Sequence, residues 1–356
     1  MKLIYLPIWI LFLFCIFYKM RIVSVKEIQA DYLAPSNTGR VKGILALIIL
    51  FDHIAALIGT KGDIVFEVFH AVGFLAVALF FFFSGYSTEK QRLLRDDYLT
   101  NKFVVRKFVS LIIPMYIVNI VYFVAEGIVN IWELQIQHWW EGLLYIVDIS
   151  GQYVINPPTW YIRSLFLLLV VYFILHKFIN KQKWIDVAMF TTLLIITIYR
   201  AVTWNEGTGQ DWGMLFCFLA GNIWANNEEK ITEFVKARYW KTLAISVLFT
   251  GAFCVLFLYN YDNYVGKLLW RNIATVCFVI MVAILLMTIR LQNELTGMLG
   301  KISLEIYLMH SLIIWYITRY DSEVMKVYIS VIGTLLLACI IQPVISKIVK
   351  RMNCLL

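Results

Sequence analysis

Lys42-Gly43-Ile44-Leu45-Ala46-Leu47-Ile48-Ile49-Leu50-Phe51-Asp52-His53 is the stretch on which the reading of this 356-residue chain turns. It opens on a cation, runs through apolar residues and closes on a carboxylate and an imidazole. At about 100° per residue, eleven steps return almost to the starting face, about 16 Å further along the axis. Lys42 and His53 are therefore expected on one face of a membrane helix, one near a surface and the other well inside. Ionisable groups within a bilayer span are costly and mark functional sites. A second stretch, Gly300-Lys301-Ile302-Ser303-Leu304-Glu305-Ile306-Tyr307-Leu308-Met309-His310, sets another imidazole in another apolar run. Two buried histidines with cations at the membrane edge point to proton-transfer chemistry inside a membrane enzyme.

The rest of the chain supplies the membrane. Hydrophobic residues make up 61% and charged residues only 15%, against about a quarter charged in soluble domains. The expected class is all-α, a polytopic integral membrane bundle, since the alternating ten-residue segments of a membrane barrel are absent. The net charge of +8 sits in short loops beside apolar runs. That placement suits orientation of the spans and argues against nucleic acid as a partner. Cys15, Cys217, Cys254, Cys277, Cys339 and Cys354 form no CxxC pair and lie mostly in apolar runs, so neither a disulfide framework nor a metal site is expected.

Apolar runs of spanning length fall near 3–20, 41–59, 65–86, 105–125, 160–179, 184–203, 211–226, 240–259, 267–289, 302–319 and 325–346, about eleven helices, the 211–226 run being short. The first lacks a small-x-small cleavage site and reads as a retained span rather than a signal peptide. The expected division is an extra N-terminal helix and cytoplasmic loop over residues 1–39 and a membrane core over 40–350. Lys90, Arg92, Arg95, Lys102, Arg106 and Lys107 mark an inside loop, as do Lys177, Lys181 and Lys183, then Lys230, Lys236, Arg238 and Lys241, then Lys347, Lys350 and Arg351. Residues 126–158 contain no Lys or Arg but hold Glu126, Glu133, Glu141 and Asp148, and belong outside. This places the N-terminus outside and the C-terminus in the cytoplasm, in a cell membrane expected to be a bacterial plasma membrane. Trp132, His138, Trp139 and Trp140 suit an interfacial or re-entrant segment of the outer loop.

His53 is the first candidate for a general base, because neutral imidazole accepts a proton near neutral pH; the bland reading is a packing histidine bonded to a carbonyl. Asp52 lies about 100° round the helix and is no obvious partner for it. Lys42 and Arg40 are cations at the cytoplasmic end of the helix, suited to phosphate or else to anchoring that end; Lys42 shares the histidine's face and Arg40 does not. The basic 90–107 cluster, Arg106 included, adds to such a surface or only sets topology. Ser84 and Tyr86 flank Gly85 and read as structural or substrate-lining, with no GxSxG elbow to support a serine nucleophile. Ser303, Tyr307 and His310 share a face and either relay a proton or make an interhelical bond; Glu305 lies off it and is expected to pair elsewhere. Arg163 and Arg271 hold an anionic acceptor, pair with Glu126 or Glu141, or snorkel. Glu67 and His70 are spaced to pair at i, i+3.

The order of these segments resembles that of the acyltransferase-3 family of membrane acyltransferases. Lys42…His53 resembles its first motif, with Lys42 where the family usually has arginine. Phe80-Phe81-Phe82-Phe83-Ser84-Gly85-Tyr86, the stretch from Arg106 to Pro114, Thr159-Trp160-Tyr161, and Ile302 to His310 resemble the segments that follow. The resemblance implies about ten core helices moving an acyl group, usually acetyl, from cytoplasmic acyl-CoA to a sugar hydroxyl of an envelope or lipid-linked glycan. On that reading His53 and His310 carry the chemistry. Lys42, Arg40 and Arg106 meet the donor, and Ser84, Tyr86, Trp160, Arg163 and Tyr307 line the substrate. Acyl-CoA is then a donor substrate, no cofactor is permanently bound, and membrane lipids and the glycan acceptor are the partners. The competing function is a proton-coupled transporter or flippase for polysaccharide precursors, against which no inverted repeat is detectable.

Overall fold

A computed structural model of the chain describes residues 2–28, 31–60, 62–129, 139–147, 154–203, 213–260 and 264–356. The acidic aromatic segment expected outside is largely beyond them: Trp132, Glu133, His138 and Asp148 lie outside the described residues. Its Trp139–Val147 part forms a short helix, α5.

All eleven apolar runs become helices, but not eleven of spanning length. Among the described residues eight helices are long and apolar enough to cross a membrane, or nine if the bent pair of residues 294–301 and 303–317 is one span: α2 (Pro35–Ile58), α3 (Ile64–Leu94), α4 (Phe103–Val129), α6 (Thr159–Phe178), α7 (Gln182–Thr203), α10 (Tyr239–Tyr259), α11 (Tyr264–Leu286) and α14 (Glu323–Leu355). The three other runs are shorter. α1 covers Leu6–Phe17, α8 covers Phe216–Asn226, and the 302–319 run is α13 (Ser303–Ile317), set at 70° to α12 (Glu294–Lys301). The amphipathic α9 (Glu228–Ala237) completes the α-helices among the described residues. Leu248, Val255, Leu258, Ile332, Leu336 and Ile340 are all more than half exposed, a surface suited to lipid rather than water.

The helix ends follow from local chemistry. Pro35 opens α2, where its missing N–H costs nothing, and Gly59 ends it at φ +71°, a conformation that glycine adopts without strain. Asp63 caps α3 by accepting from the amides of Val65 and Phe66, while its other oxygen takes the Lys2 amide at 2.7 Å. Asn293 caps α12 with its oxygen, and its amide donates to the last carbonyls of α1 at Cys15 and Phe14.

That last contact binds the N-terminal segment to the core. Trp9 and Phe12 of α1 pack edge-on against Phe51 of α2, and Trp9 meets Phe66 and Phe69 of α3. Beyond α1 a short strand β1 (Met20–Ile22) pairs antiparallel with β2 (Ile289–Leu291), with Arg21 opposite Arg290. Tyr32 then receives a hydrogen bond from Trp224 at 2.8 Å; burial pushes its phenol up to about 12, which keeps it a neutral hydroxyl.

Helix crossings at glycine set the interior. A Cβ on Gly43 of α2 would lie 2.7 Å from the Gly300 amide, and one on Gly300 would run into the Gly39 carbonyl. α2 and the α12–α13 corner therefore meet backbone to backbone. Gly85 of α3 and Gly221 of α8 cross in the same way, Gly85 against the Phe218 carbonyl and Gly221 against the Phe82 carbonyl, with no room for a Cβ on either. Gly85 thus has a packing role in its segment.

Candidate functional site

Because Gly43 lets the corner at Gly300 lie against α2, the faces carrying His53 and His310 are turned towards each other. Their rings stand 4.6 Å apart between centroids, tilted by 32°. Two imidazoles 257 positions apart in sequence thus share one depth in the bundle.

His310 is fully buried. Its Nδ1 faces the Ile306 carbonyl at 3.3 Å, and its Nε2 is buried with no hydrogen-bond partner among the described residues. With Nδ1–H donating to the carbonyl, Nε2 keeps a free lone pair. The turn beneath it is held in an unusual way. The Tyr122 hydroxyl, reaching in from α4, donates to the Leu308 carbonyl at 2.9 Å and accepts from the Leu312 amide at 2.8 Å. Those two groups are i→i−4 partners in a regular helix, so the hydroxyl is inserted into the ladder around His310. Ser303 is buried and donates to the Gly300 carbonyl at 2.9 Å, which fixes the α12–α13 corner.

An aromatic row leads to the pair. Tyr307 stands 5.9 Å from His310, Tyr161 5.5 Å from Tyr307, and Phe81 4.8 Å from Tyr161. Ser84 lies near the Tyr161 hydroxyl. Trp160 is half-buried against Phe81, so Tyr161 rather than Trp160 is the member of that dipeptide in contact with Tyr307.

His53 and Lys42 lie deep in the fold yet both retain accessible surface. Lys42 makes no ion pair among the described residues, and another cation, Lys107 of α4, stands near enough to act on it electrostatically. Two neighbouring ammonium groups attract an anion. Arg106 is exposed, so its neighbour Lys107 is the residue that α4 brings to Lys42. Arg40 also stands apart, donating to the Ser36 carbonyl at 3.0 Å and lining a different cleft.

Beside His53, Asp52 turns to α3 and pairs with His70 at 2.9 Å; the exposed His70 gives this pair a path to solvent. Gly73 makes room for the Asp52 carboxylate, which occupies the space a Cβ would need there. This corrects the expected Glu67–His70 pair, since Glu67 accepts from the Gly62 amide instead. Arg271 lies close enough to Asp52 to interact with it and sits over the Phe74 ring at 4.5 Å. Glu305 is also corrected. It is buried, and its Oε2 has no hydrogen-bond partner among the described residues, in place of the pair expected.

Tyr86 is committed elsewhere. Its hydroxyl donates to Glu228 at 2.7 Å and Lys90 holds the second oxygen of that carboxylate at 2.6 Å, tying α3 to α9. Arg163 is half-buried in α6. Among the described residues no group of three or more His, Cys, Asp or Glu side chains could hold a metal ion.

Tyr122 and Tyr161 were not singled out in the sequence, and Lys107 only as one of the basic 90–107 cluster. Tyr161 lay within a quoted motif; Tyr122 sits in an apolar run with no local signal. A family model described as an acyltransferase domain matches residues 40–342. No curated protein and no solved structure gives a match.

Proposed function

We propose a function from one premise: the chain belongs to the acyltransferase-3 family, whose domain spans residues 40–342. It is a membrane acyltransferase. In the proposed reaction an acyl group, acetyl in the simplest case, passes from cytoplasmic acyl-CoA to a hydroxyl of an envelope glycan or lipid-linked sugar. The observation that carries this reading is the His53–His310 pair at 4.6 Å.

The acceptor hydroxyl attacks the thioester carbonyl, forming a C–O bond as the C–S bond breaks. His53 takes the hydroxyl proton, and CoA leaves as a thiolate that receives it. His53 suits the base because it keeps accessible surface, whereas His310 is fully enclosed. His310 fixes the neighbouring ring and offers a lone pair at Nε2. Lys42 and Lys107 meet donor phosphates, and Tyr307 with Tyr161 forms the apolar wall for the acyl group. Trp160 and Arg163 remain candidates for the acceptor side.

The test uses inside-out vesicles given acyl-CoA labelled in the acyl group, comparing wild type with His53→Ala and His310→Ala at equal expression. Label should reach a glycan or lipid fraction in wild type and fall by about 10²-fold or more in His53→Ala, the range of a general base. Equal transfer by His53→Ala removes that residue as the base. No transfer from acetyl, succinyl or longer acyl donors removes acyl transfer itself and favours glycan transport.

A further inference from the structure

The cleft that takes Arg40 away from Lys42 has a composition of its own. It encloses about 470 Å³ and is lined by Arg21, Glu27, Asp31, Arg40 and Arg290 among its polar groups. It lies on the side of α2 away from Lys42, since two residues turn a helix by about 200°.

Three observations bear on its ligand. Arg21 and Arg290 are directly opposed in the β1–β2 register, so both side chains leave the same face of the ribbon. Opposed like charges destabilise such a pair unless something offsets them. Arg290 has a carboxylate, Asp31 at 3.0 Å, but Arg21 has no ion pair among the described residues. Arg40 spends Nη1 on the Ser36 carbonyl and leaves Nε buried with no hydrogen-bond partner among the described residues. Glu27 at the rim is the other carboxylate lining the cleft. The guanidinium groups outnumber the carboxylates, and planar forks suit the several oxygens of a phosphate.

The position supplies the rest. The cleft follows the end of α1, where Phe17 and Tyr18 are exposed, and the next strand exposes Ile22. Aromatic and aliphatic side chains beside arginines mark a bilayer edge.

We infer that the Arg21–Arg40–Arg290 cleft binds a phosphate ester at the membrane edge, and that the segment preceding the family domain completes this site. Arg21 and Asp31 lie before residue 40, where the family match begins; Arg40 and Arg290 lie within it. The ester is either an anionic lipid headgroup or a phosphate of CoA. The inference does not depend on acyl transfer.

The full chain in nanodiscs tests it. Thermal stability is compared in phosphatidylglycerol and phosphatidylcholine discs, and CoA binding is compared with that of its 3′-dephospho form. Wild type should melt higher in phosphatidylglycerol or bind CoA more tightly than the dephospho form. Arg21→Gln should abolish whichever preference is present, weakening CoA binding about ten-fold or more in the second case, while Arg21→Lys keeps part of it. A lipid preference alone assigns a headgroup, and a 3′-phosphate preference alone assigns CoA. Arg21→Gln should melt no lower than wild type in phosphatidylcholine, where it relieves the Arg21–Arg290 repulsion, so a lost preference is not a lost fold. No preference in wild type, or one that Arg21→Gln retains, overturns the inference. Label transfer by the same preparations separates the two readings, since arginine-dependent binding without transfer defeats only the proposed enzyme.

Discussion

Tyr122 shows how one hydroxyl shapes the candidate site. Standing between the Leu308 carbonyl and the Leu312 amide, it holds one turn of α13 open where His310 projects. Tyr122→Phe keeps the ring but lets the helix close or leaves both groups unsatisfied. Acyl transfer should fall about ten-fold, on the order of 1.4 kcal/mol in the barrier, while KM for the donor holds. An unchanged kcat would make Tyr122 a packing residue only. Glu89 is a different kind of residue. It is fully buried, takes the Arg92 Nε at 3.1 Å and the Tyr172 hydroxyl, and has His176 at 3.7 Å. Glu89→Ala leaves Arg92 without its carboxylate and should cost about 3–5 kcal/mol, read as a large drop in melting temperature in detergent. A drop no larger than that of a surface variant would refute this.

At the scale of elements, the α2 contact with the α12–α13 corner sets the distance between the histidines. Gly43→Val would force side-chain atoms into the Gly300 amide and Thr296 carbonyl, each 2.7 Å from a Cβ. Overpacking of this kind costs about 1–3 kcal/mol, and here it should also part the rings. A crosslink between cysteines replacing His53 and His310 measures that directly: it should form while Gly43 is kept and fade once Gly43→Val is added. Persistence of the crosslink would mean the corner yields elsewhere. Asn293→Ala removes the cap of α12 and the tie to α1, a loss of about 0.5–2 kcal/mol that hydrogen exchange should localise to α1 and α12.

For the whole molecule the testable property is orientation. Basic residues cluster around the ends of α3 and α6 and in the last turns of α14, and are scarce before α6, which predicts a cytoplasmic C-terminus. In a variant keeping only Cys354, exposed at that end, an impermeant maleimide should label opened membranes and spare intact cells. Labelling of intact cells inverts the topology and, with it, the side from which Lys42 meets a donor.

The membrane class, the family and the His53 and His310 positions were legible in the chain, because hydropathy, loop charge and short motifs are local properties written residue by residue. Helix length was less so. Apolar composition alone does not tell a run that crosses from one that ends at a corner, and the 302–319 run is broken from its neighbour by glycine contacts with α2. Partners were least legible. Asp52 with His70, Lys107 with Lys42, Tyr122 within α13 and Arg21 opposite Arg290 each join segments distant in sequence. Helix periodicity fixes which face a side chain leaves from, but only the packing of one helix on another decides what that face meets.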